Sequence, residues 1–160
     1  MIRRPRYRTA EATAILAITR DHLRYFESRI EGESLTGWRQ RSLLDLFRVF
    51  LALELSEYGV EADHAVKIAH ETQFGYGQDI ISPAEAAGLS LEEELFGEVF
   101  GQTLIVQRDG TEWRSYLYWS DGEHGPIERH IGGTAIVVPL SLLSKRLMQR
   151  IREYALGEQS

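Results

Sequence analysis

Arg20 and Arg24 stand one helical turn apart in RDHLRYFESR, residues 20–29, with Tyr25 and Phe26 directly behind them. A guanidinium is a planar fork of donors that pairs bidentately with a guanine edge or a phosphate, so two on one helix face are a candidate nucleic-acid contact. The bland alternative is a solvated helix face, its arginines balanced by Asp21 and Glu27. Leu23 and Phe26, at i and i+3, mark the inward side of this helix. Arg20, Asp21 and Arg24 then point outward, with His22 and Tyr25 on a flank.

Other chemistries find less support. The sequence has no Cys, which removes disulfides, thiolate metal sites and cysteine nucleophiles together. No Gly-rich phosphate loop, nucleophile elbow or zinc-protease helix is present, and Glu92, Glu93 and Glu94 form a charge run of the kind that ordinarily lies in solvent. Glu123, His124, Glu128 and His130 could donate to a metal from one loop, but lack the helical or paired-turn spacing that fixes tetrahedral geometry. The expectation is therefore no catalytic residue, no metal and no cofactor.

Charge is unevenly distributed. The first fifty residues hold ten arginines against six acidic residues, whereas the chain as a whole carries a formal net charge of -6. A basic third on an acidic body is what a localised phosphate-binding surface requires, because neutralised phosphates release their counterions. Arg3, Arg4, Arg6 and Arg8 open the chain either as an arm that adds phosphate contacts or as a disordered start. No stretch is long and apolar enough to span a bilayer, so a cytoplasmic protein without a membrane partner is expected.

The elements that must position the arginines can be read from capping and periodicity. Thr9 is a candidate N-cap for a short helix with Ala12, Ile15 and Leu16 on its apolar stripe, and Thr19 a candidate cap for the helix carrying Arg20 and Arg24. SRIEGES, followed by Gly37-Trp38-Arg39, is polar and Gly-punctuated, as expected for a two-stranded wing. Ser42, with Asp45 three residues on, opens a third helix that Tyr58-Gly59 stops, and Val60, Val66 and Ile68 belong to a fourth.

This order, carried by YRTAEATAILAITRDHLRYFE, GWRQRSLLDLF and LSEYGVEADHAVKIA, resembles the DNA-binding domain of MerR-type winged-helix regulators over residues 7 to about 70. The resemblance implies that Arg24 and Tyr25 contact DNA from the recognition helix and that Arg39 grips the backbone from the wing. Arg20, Asp21 and His22 would face base edges, with Arg8, Thr19 and Arg41 completing the expected DNA-binding set. Phe26 and Trp38 are expected to pack.

Beyond Phe74, the glycines and Pro83 mark a linker and short helical segment over 75–97. Residues 98–160 read as a small α+β module. QTLIVQRDGTEWRSYLYWS is a hairpin around Asp109-Gly110, TAIVVPL a third strand, and LSLLSKRLMQRIREYA a helix with Leu140, Leu147 and Tyr154 spaced by seven and Leu143 and Ile151 between them. That stripe could dimerise. Trp113, Tyr116, Tyr118 and Trp119 could wall a ligand pocket, though aromatic strand residues more often serve sheet packing.

The expected fold class is thus α+β: a winged helix-turn-helix over 1–74, the linker, and a β-hairpin module with a C-terminal helix for dimerisation or effector binding. The expected function is sequence-specific transcriptional regulation by a homodimer on double-stranded DNA, with RNA polymerase or another regulator as a further partner. Two alternatives stand beside it. One is an excisionase-like or architectural phage protein that bends DNA; the other is a ligand- or protein-binding module without DNA affinity.

Overall fold

The computed structural model describes residues 6–31, 40–72, 102–119 and 134–158. The expected wing between 32 and 39, the segment 75–97 and the loop bearing Glu123, His124, Glu128 and His130 lie outside the described residues. The fold is α+β, with five helices and a three-stranded antiparallel sheet among the described residues. The elements are α1 (Thr9–Leu16), α2 (Arg20–Glu31), α3 (Leu43–Glu57), α4 (Ala62–Glu71), β1 (Gln102–Asp109), β2 (Glu112–Trp119), β3 (Ile136–Pro139) and α5 (Leu140–Glu158).

The chain forms two compact units, one of Met1–Glu71 with Lys145–Ser160 and one of Thr72–Ser144. This differs from the expected division, in which the whole last helix belongs to the C-terminal module. The reason lies in what α5 buries. Leu147 and Met148 are buried, Arg146 Nη1 donates to Glu54 Oε1 of α3 at 2.8 Å, and Arg150 Nη1 donates to the Leu16 carbonyl at 3.1 Å. Both guanidinium carbons lie over the Phe50 ring, at 5.6 Å for Arg146 and 5.0 Å for Arg150. A guanidinium's flat face suits an aromatic ring while its edge stays free to donate. Leu140 and Leu143 are also buried, so most of the apolar stripe expected to dimerise is already covered within one chain.

In the first unit, helix ends are fixed by local hydrogen bonds. At the start of α1 the carboxylate of Glu11 accepts from the Arg8 N–H at 2.7 Å, which makes Arg8 rather than Thr9 the capping residue. Thr9 is the first helical residue, and its Oγ1 accepts instead from Arg41 Nη1 at 3.2 Å. The helix closes on Ala17, at φ 57°, whose N–H donates to the Ala14 carbonyl while Ile18 donates to Thr13. This paired closure is a Schellman motif, usually built on glycine. At α3, Ser42 Oγ accepts from the Asp45 N–H at 3.1 Å and Asp45 Oδ2 accepts from the Ser42 N–H at 2.9 Å, the reciprocal box expected from the spacing. The helix ends at Tyr58-Gly59, where Gly59 has φ 97° and Val60 N–H reaches back to Leu55. Leu46, Phe47, Leu51 and Leu55 of α3 form the centre of this core, joined by Ile15 and Leu16, Leu23 and Phe26, and Val66 and Ala69.

In the second unit the strand order is β2-β1-β3, both pairings antiparallel. Asp109 pairs with Glu112, so the two-residue turn is Gly110-Thr111, one position later than Asp109-Gly110, with the positive φ of 64° on Gly110. Leu104, Ile105 and Val106 are buried in succession, which means both faces of the central strand are covered. Pro139 sits at the end of edge strand β3, where its missing N–H costs no ladder bond inside the sheet.

Candidate nucleic-acid interface

A three-residue turn, Ala17-Ile18-Thr19, connects α1 to α2. The left-handed conformation of Ala17 reverses the chain, and Thr19 then caps the second helix, its Oγ1 accepting from the His22 N–H at 3.1 Å. Capping satisfies a donor that the first turn of a helix otherwise leaves without a partner, so α2 can begin in solvent. Leu23 and Phe26 turn inward, each about 1 % exposed, and anchor α2 on the core. Arg20, Asp21, His22, Arg24 and Tyr25 are all exposed, as helical spacing from Leu23 and Phe26 requires.

Glu27 does not balance the arginines from the solvent side. It lies one residue beyond Phe26 on the inward face, and both it and Arg41 are buried. Arg41 Nε reaches Glu27 Oε2 at 2.5 Å and Nη2 reaches Oε1 at 2.6 Å, a bidentate pair. The Arg41 backbone is fixed as well, exchanging two 2.8 Å hydrogen bonds with Tyr7 in an isolated antiparallel bridge. Burial pushes the Tyr7 hydroxyl above its ordinary pKa, with Glu11 adding to the effect. Arg41, expected among the DNA contacts, is thus a buried structural cation that ties the start of the chain and the entry to α3 against α2. Its guanidinium is turned away from solvent, so a phosphate cannot reach it without dismantling the pair.

Among the described residues, Arg20 and Arg24 carry no ion pair. Tyr25, 41 % exposed, is held from two sides: its ring meets Phe26 edge-on, and the Arg29 guanidinium stacks on it at 3.4 Å. Arg29 is itself paired with Asp63 of α4 and donates to the Tyr25 carbonyl at 3.0 Å. His22 packs against Phe26 with ring centroids 5.0 Å apart. Arg8 and Arg6 are exposed at the chain entry, whereas Arg3, Arg4, Trp38 and Arg39 lie outside the described residues.

Sequence reasoning thus missed the Glu27–Arg41 pair, although a signal for it was present. Glu27 follows Leu23 and Phe26 at i+4 and i+1, inside the apolar stripe, and a carboxylate there requires a buried cation. The aromatic hairpin residues Trp113, Tyr116 and Tyr118 are partly exposed, with Arg108 5.6 Å from the Trp113 ring. Neither a protein-family model nor a curated protein matches this sequence.

Proposed function

We propose that this protein is a sequence-specific DNA-binding regulator whose α2 enters the major groove, a reading that the MerR-type resemblance of residues 7–70 supports. The observation that carries this reading is the fate of Glu27. Because Arg41 neutralises it inside the unit, Arg20 and Arg24 are left as exposed cations on the outer face of a capped helix that follows a tight turn. A helix presented in this way places its N-terminal residues at base edges in known helix-turn-helix complexes. Tyr25, stiffened by the Arg29 stack, offers a hydroxyl to a flanking phosphate at little further cost in side-chain freedom. The excess of arginine in the first fifty residues supplies the nonspecific attraction that precedes base reading. On this proposal the protein acts as a homodimer on a two-fold related operator, and neither a cofactor nor a catalytic group takes part.

The test is selection of genomic fragments by the purified protein at two salt concentrations, with Arg24→Ala beside it. A discrete motif is expected, weakened roughly ten- to a hundredfold by the substitution, since one good base contact discriminates by about 1–3 kcal/mol. Half-sites related by two-fold symmetry would identify a dimer, and tandem sites with strong bending an architectural protein. Absence of any enrichment at either salt would overturn the proposal.

A further inference from the structure

A cavity of about 690 Å³ opens behind the α1–α2 turn, entirely within the first unit. Its size falls in the range of small-molecule sites. Leu16, Ile18, Phe26, Phe50 and Leu53 supply apolar walls, and Arg146 and Arg150 enter from α5. The two cations are not equivalent. Arg146 is paired with Glu54 at 2.8 Å, and that hydrogen bond holds its proton still more firmly than usual. Arg150 is half-buried, and among the described residues no carboxylate pairs with it. Its Nη1 is spent on the carbonyls of Ile15 and Leu16, at 3.5 and 3.1 Å, and its face rests over Phe50. Nε and Nη2 remain as a second pair of donors on a positioned charge.

From this geometry we infer that the cavity is a binding site for a small organic monocarboxylate with an aromatic or aliphatic body. Two parallel donors on one guanidinium match a carboxylate, and the apolar walls take the body. Glu57 lines the same cavity and is exposed. Its charge selects against phosphate and other multiply charged anions, whose repulsion grows with their charge while Arg146 is already committed to Glu54. The site adjoins Ala17, Thr19 and His22, so its occupant touches the turn that aims α2. It stands independently of the DNA reading, because binding can be measured on the protein alone.

The experiment is a titration of the isotope-labelled full chain with benzoate, indole-3-acetate and octanoate, each beside its neutral amide, and with inorganic phosphate. At least one carboxylate is expected to shift amide resonances saturably within residues 13–22, 50–57 and 146–150, with its amide and phosphate at least tenfold weaker. Arg150→Gln should abolish the shifts. Because Arg150 also holds the end of α1, a second variant is needed that fills the cavity without removing a charge. Ala14→Trp does so from an exposed helical position and should abolish binding while the spectrum remains that of a folded protein. The inference is overturned if none of the three carboxylates binds at millimolar concentration, if amide or phosphate binds equally well, if the shifts map to the sheet, or if folded Ala14→Trp binds unchanged.

Discussion

At the scale of single residues, the pair of Glu27 and Arg41 decides more than its two charges suggest. A buried ion pair contributes little net stability relative to a well-packed apolar pair, yet breaking it strands a charge without water or partner. Glu27→Ala is therefore expected to destabilise the protein by about 3–5 kcal/mol, read as a lowered midpoint in urea unfolding. Replacing both residues with Met should cost much less than that single change. Equal losses in the single and double variants would show that packing around the carboxylate, and not the isolated cation, carries the effect. Arg24 behaves oppositely at this scale, for its alanine variant should leave the unfolding free energy from urea titration within about 0.5 kcal/mol of the parent, as exposed substitutions ordinarily do.

Among the elements, the α1–α2 turn carries the clearest strain. Ala17 occupies the left-handed region at φ 57° and ψ 44°, where a β-carbon costs about 1–2 kcal/mol. Ala17→Gly removes that cost but enlarges the freedom of the unfolded chain by about 0.5–1 kcal/mol. A net stabilisation of up to about 1.5 kcal/mol is expected, measurable as a higher thermal midpoint, and a lower one would mean that the methyl group makes compensating contacts. This turn also marks what a sequence discloses and what it withholds. Ser42 with Asp45, Thr19 before α2, Tyr58-Gly59 after α3 and the hairpin at Gly110 were legible because each is a local device, complete within about four residues. Thr9 was misassigned as a cap because the competing acceptor, Glu11, and the distant claimant on its hydroxyl, Arg41, act together. The exposed face of α2 followed from the spacing of Leu23 and Phe26 alone. The identity of the partner that quiets Glu27 did not, since it comes from fourteen residues away and no period announces it.

For the whole molecule, the informative fact is that α5 completes the unit that α1 begins. Its heptad stripe was legible as an apolar face, but a stripe does not name its partner, and here Leu147 is buried within the chain rather than left for a second copy. Leu147→Ala should lower stability by about 2–5 kcal/mol whatever the protein concentration, whereas Leu156→Ala, at a position 66 % exposed, should change it by less than about 0.5 kcal/mol. Unfolding followed at two protein concentrations checks both. A loss at Leu147 that vanishes on dilution would instead place that residue in an intermolecular contact. The same arrangement bears on how the chain is made. Arg150 closes on the carbonyl of Leu16 from 134 positions further along, so α5 cannot close on α1 until all the chain between them has been made. At about 5–20 residues per second that interval lasts on the order of ten seconds. Phe50, made partway through it, lacks for the remainder the two guanidiniums that later cover it, so its ring face is open to solvent on that side until α5 arrives.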